Sequence, residues 1–92
     1  MSEMTRIHAG ETESGFAFEI EHERVDNYEL LEELVAMRED GSRIIPVARM
    51  LLGEEQLARL KEHCRGESGI VPVTAIEREL NDIFVRIKQA KN

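Results

Sequence analysis

Residues 16–37, FAFEIEHERVDNYELLEELVAM, decide the fold, because the apolar spacing changes period inside them. Over residues 16–22 the period is two. Phe16, Phe18 and Ile20 fall on one face, and Glu19 and Glu21 fall on the other. Such alternation in aromatic and β-branched residues predicts a half-buried strand. From Asp26 the spacing becomes helical. Asp26 suits an N-cap, Glu29 stands three residues on as in a capping box, and Val25 and Leu30 are placed as a hydrophobic staple. Tyr28, Leu31, Leu34, Val35 and Arg38 then recur at helical spacing, with Leu30 and Met37 widening the stripe. Gly41 is expected to close this helix in the left-handed conformation.

Working outward, a strand at 16–22 needs a partner for its backbone groups. The candidates are residues 4–8, as a hairpin through Gly10 to Gly15, or another chain. Residues 1–15 hold few apolar anchors and read as a flexible N-terminal arm; residues 16–92 read as a single helical domain. On the C-terminal side, Pro46 suits the first turn of a short helix reaching about Leu52, where Gly53 breaks or bends the chain. Glu54-Glu55-Gln56 then favour a new helix start, with Leu57, Leu60, Lys61 and Cys64 along one side. After the Gly66-Glu67-Ser68-Gly69 loop, a last helix beginning near Pro72 or Thr74 carries Ile76, Leu80, Ile83, Phe84 and Ile87 as a broad stripe. The expected fold is mainly α, about four helices with an N-terminal β strand or hairpin. Leu31, Leu34, Leu57, Leu60, Leu80 and Phe84 are expected at the centre of its core.

Composition narrows the function. Ninety-two residues make one domain, and with no Trp and one Tyr the core must be largely aliphatic. The net charge is −7, which argues against a general nucleic-acid binder, since counterion release needs a basic face. The acidity is also polarised. Residues 1–40 hold twelve acidic residues and three arginines, whereas residues 41–92 hold seven acidic and nine basic residues. No apolar run is long enough to span a membrane, and the single cysteine, Cys64, cannot form an internal disulfide. Together these favour a cytoplasmic location.

Recognisable catalytic chemistry is missing from the sequence. His8, His22 and His63 share no short metal-ligand spacing. There is no phosphate-cradling glycine motif and no nucleophile elbow. The expectation is a non-enzymatic chain with no cofactor and no metal. Residues 42–65 imitate a helix-turn-helix, but its second helix would open on Glu54-Glu55 and meet phosphates with negative charge. Phe16, Phe18 and Ile20 are the protein-interaction candidates, since an apolar strand face with a weak intrachain partner invites a homo-oligomer or a client.

The order of these elements resembles the small tail assembly chaperones of long-tailed phages and prophages. The resemblance rests on the F-x-F-E-I strand at 16–20 and on Asp26-Asn27-Tyr28-Glu29-Leu30-Leu31-Glu32. It continues through Met50-Leu51-Leu52-Gly53-Glu54-Glu55-Gln56 with Leu57 and Leu60, then Val71-Pro72, and Glu79-Leu80-Asn81-Asp82-Ile83-Phe84. It covers residues ~16–88 and is a pattern of similar residues without a catalytic signature. It implies a non-enzymatic protein of the host cell cytoplasm that binds the tape measure protein and helps recruit tail tube subunits. It also implies that the chain corresponds to the shorter of two forms, the longer arising by frameshift. The rival expectations are a small adaptor or anti-repressor-like regulator of one folded partner, and a helix-turn-helix DNA-binding regulator.

Overall fold

The computed structural model describes residues 6–91. Two strands, β1 (Ile7–Glu11) and β2 (Ala17–Glu21), are followed by a single helical turn α1 (His22–Val25), then α2 (Tyr28–Ala36), a 3-10 turn (Gly41–Arg43), α3 (Ile44–Cys64) and α4 (Val73–Lys91). This is the mainly α architecture with an N-terminal hairpin that the sequence predicts.

The strands pair antiparallel, His8 opposite Ile20 and Gly10 opposite Phe18. Residues 6–15 are therefore not an arm: the chain reverses at 12–16 and returns as a ladder. Thr12 holds the reversal. Its N–H donates to Phe16 O at 2.9 Å, its carbonyl accepts from Gly15 N at 2.9 Å, and its hydroxyl accepts from Phe16 N at 3.0 Å. Gly15 supplies the left-handed residue, φ 97°. Gly10 has a packing role instead, since a Cβ there would lie 3.0 Å from the tip of the Phe18 ring. The expectation for residues 1–5 lies outside the described residues.

At α2 the N-cap is Asn27, whose side chain accepts from Glu29 N at 3.0 Å, rather than Asp26. The helix closes at Met37 in the right-handed region, and Gly41 has no positive φ. Gly41 instead starts the 3-10 turn, where Asp40 accepts from Ser42 N at 3.1 Å.

The expected break in α3 is present. Gly53 adopts φ 79°, ψ 170°, a region essentially confined to glycine. It divides α3 into arms of residues 44–52 and 54–64. A break frees carbonyls at the end of the first arm. Arg24 of α1 answers one of them, its guanidinium donating to Met50 O at 3.0 Å.

The core lies between the inner face of the hairpin and the helices. Its most buried members are Ile20, Val47, Leu51, Leu60 and Ile83, with Leu30, Leu57, Leu80 and Ile87 around them. The expectation for Leu57, Leu60 and Leu80 holds. Leu34 and Phe84 are half-buried against the core. Leu31 does not belong to it, being 53% exposed.

Candidate functional site

Phe16, Phe18 and Ile20 do share one face of β2, but that face is closed. They are buried in the chain's own core beside α3 and α4 residues. The face that looked open to a partner is covered by helices whose apolar stripes need the same burial. Phe16 is further covered by Arg59, whose guanidinium carbon lies 5.1 Å from the ring centroid, and by His63, 5.5 Å between ring centroids. These three residues are therefore core residues, which corrects the candidate interaction site.

The strand edges are treated unequally. Along the outer edge of β2, Glu19 N donates to Gln56 Oε1 at 2.9 Å, and Gln56 Nε2 donates back to Glu19 O at 2.7 Å. Arg59 donates to Ala17 O at 3.2 Å. Side chains of α3 thus satisfy the backbone groups a further strand would use. On β1 the ladder takes Arg6, His8, Gly10 and Thr12 inward, so Ile7, Ala9 and Glu11 point their backbone groups outward.

The apolar surface left in water is mainly helical. On α2, Tyr28, Leu31 and Val35 are 73%, 53% and 57% exposed. They recur at steps of three and four, the a-d-a spacing of a helix seam. A neighbouring side of the same helix, Leu30, Leu34 and Met37, packs on the core. Helix α2 therefore has two apolar faces, and its own fold uses one. Glu32 borders the exposed face and Glu29 lies one position further out, both exposed; neither joins the ion pairs of the described residues, whereas Glu33 pairs with Arg43 at 3.3 Å. A second apolar area is a recess of about 310 Å³ between the start of α3 and α4. Ile44, Ile45, Ala48, Leu57, Val73 and Ile76 line it.

A polar cluster fastens the hairpin turn to the helices. Glu13 N donates to Asp82 Oδ2 at 2.8 Å, and Asp82 Oδ1 accepts from Arg86 Nε at 2.7 Å. These donors, the Glu13 amide first, hold the Asp82 carboxyl below its ordinary pKa. Ser14 Oγ donates to Glu79 Oε2 at 2.7 Å and lies 2.9 Å from His63 Nε2, so the imidazole N–H is the donor in that second contact. Serine, histidine and glutamate thus meet, but with serine in the middle. A nucleophile relay needs histidine between the other two, so the cluster serves as a fastening. Glu79 is buried, and its Oε1 has no hydrogen-bond donor among the described residues. Cys64, half-buried nearby, has its thiol pKa raised first by burial and then by Glu79, opposite to what an activated thiolate requires.

His8 and His22, distant in sequence, face each other across the ladder with Nε2 and Nδ1 3.0 Å apart. No group of three or more His, Cys, Asp or Glu side chains able to hold a metal occurs among the described residues. No helix among them is long and apolar enough to cross a membrane. No family model, no curated protein and no solved structure matches this chain.

Proposed function

We propose that the chain is a tail assembly chaperone of a long-tailed phage or prophage. In this reading it is a non-enzymatic protein of the host cell cytoplasm that binds the tape measure protein and helps recruit tail tube subunits. One observation carries the reading: the chain keeps a full apolar helix face, Tyr28, Leu31 and Val35, in water after its core is complete. Exposed apolar surface of this kind marks a partner site, and holding an aggregation-prone client soluble requires one. The resemblance over residues ~16–88 supplies the client's identity. The exposed Glu54 and Glu55, opening the second arm of α3, count against presenting that arm to DNA.

The test is co-expression with a fragment of the tape measure protein from the same gene cluster. The fragment is expected in the soluble fraction only when this chain is present. Equal precipitation with and without it, combined with rescue by another protein of the same tail module, overturns the proposal. The absence of a tail tube gene upstream and a very long tape measure gene downstream overturns the family assignment while leaving an adaptor for one folded partner.

A further inference from the structure

Helix α2 carries more information than a bare apolar patch, because the charge on its border is also left over. Assigning Tyr28, Leu31 and Val35 to seam positions a, d and a places Glu32 at e and Glu29 at b. Charges at e select the partner in helix pairs. Glu29 and Glu32 are exposed and join no ion pair among the described residues, whereas Glu33, nearer the fold, is already matched by Arg43. Basic side chains are absent from Tyr28–Ala36.

Resting on the tail chaperone reading but naming its surface and partner chemistry, we propose that the outer face of α2 docks a cationic amphipathic helix of another protein. The client helix lays an apolar a/d seam along Tyr28, Leu31 and Val35 and places Lys or Arg beside Glu32, with Glu29 one position further out adding to the negative field. A second copy of this chain is the poorer occupant. Pairing α2 with itself brings Glu32 of both copies to one seam with no basic residue of Tyr28–Ala36 to match it, on chains that each carry a net charge of −7. The seam covers about two helical turns, so the complex is weak for one helix and gains strength when a client presents several such helices in series.

The chain's only tyrosine lies in the seam, and there is no tryptophan. Tyr28 fluorescence therefore reports docking directly when the peptide carries neither residue. The probes are two helical peptides of three heptads, both with Leu at a and d, one with Lys at e and g and the other with Glu. The Lys peptide is expected to shift Tyr28 emission saturably, and the Glu peptide is not. Leu31→Ala is expected to weaken the Lys peptide by about tenfold. Glu29→Lys/Glu32→Lys is expected to reverse the preference, so that the Glu peptide binds. As a control for unspecific attraction, Glu11→Lys/Glu19→Lys/Glu21→Lys on the outer sheet face is expected to leave the Lys peptide's affinity within about twofold once screened at 0.15 M salt.

Binding that ignores Leu31→Ala and the α2 charge reversal, or that follows the sheet charges instead, overturns the proposal. Self-association of the unliganded chain that Leu31→Ala abolishes assigns the face to a second copy and likewise overturns it. The two readings fail separately. If the wild type solubilises the tape measure fragment and both α2 variants do so equally, this inference falls and the chaperone reading stands. If the peptide results hold but no variant or wild type solubilises the fragment, the face is confirmed and the chaperone reading falls.

Discussion

Leu30 and Leu31 are adjacent, chemically identical and about 100° apart on α2, one turned to the core and the other to water, so truncating each in turn measures which face holds the fold together. Leu30 is 2% exposed. Its truncation to alanine removes three carbons from packed surroundings and costs about 2–5 kcal/mol, transfer and cavity combined. Leu31 is 53% exposed, so about half of its side-chain area is already in water. At about 25 cal/mol per Å² the remaining burial is worth roughly 1 kcal/mol, and alanine's better helix propensity offsets a few tenths of that. For a domain of this size each kcal/mol moves Tm by about 4–8 °C. Leu30→Ala is therefore expected to lower Tm by about 8 °C or more, and Leu31→Ala by less than about 6 °C. Far-UV circular dichroism is the suitable signal, since Tyr28, 73% exposed, reports little of the core. A Leu31→Ala loss equal to or larger than that of Leu30→Ala would refute the assignment of the inner face.

Gly53→Ala forces a side chain into the glycine-only conformation and against the Arg24 guanidinium, 3.1 Å from the added carbon. It is expected to cost about 1–3 kcal/mol in denaturant melts, while Gly41→Ala, with open space and no positive φ, changes stability by less than about 0.5 kcal/mol. Gln56→Ala uncovers both backbone groups of Glu19; sedimentation velocity is expected to show concentration-dependent association that the wild type lacks, and identical profiles would dismiss the edge-blocking role. Because the Asp82 pKa is lowered from 3.8, its contribution is complete above the unfolded value of about 4 and is lost as pH falls through the folded one. Asp82→Asn should thus flatten the acid limb of a stability-versus-pH curve below about pH 4, and an unchanged limb would exclude this contact as a contributor.

The parts of the fold written in local chemistry were readable. Pro46 in a first turn, Gly53 at a break, and the stripe of Leu80, Ile83 and Ile87 each act through neighbours within a few residues. The face of α2 was not readable for a definite reason. Leu30, Leu34 and Met37 and the set Tyr28, Leu31 and Val35 both obey helical spacing, and periodicity cannot rank two faces of one helix. That ambiguity is itself the trace of the candidate site, since a helix with a single task would carry one stripe. The N-cap was missed by one residue because Asp26 and Asn27 are both good caps. The hairpin alternative for residues 4–8 was half readable: the partner strand is β1, but it runs from Ile7 to Glu11 and takes in Gly10, because its inward positions His8 and Gly10 do not signal a strand. The Gly10 position is intelligible only once the Phe18 ring is placed over it. The fastening of Ser14 to Glu79 and His63 had no signal at all, its partners standing 65 and 49 residues away.

Those separations matter when the chain leaves the ribosome. The hairpin is made first, yet Asp82, which accepts from the Glu13 amide, is translated 69 residues later, followed by Ile83 and Ile87 of the same core. At synthesis rates of about 5–20 residues per second the hairpin waits roughly 3 to 14 s for the part of its cover that α4 supplies. During that interval Phe16, Phe18 and Ile20 lack the part of their cover that α4 supplies, Leu80, Ile83 and Ile87, and depend on α3 alone. Helix α4 therefore completes the first element, and a message cut short before α4 yields a hairpin whose inner face is covered by α3 but not by Leu80, Ile83 and Ile87.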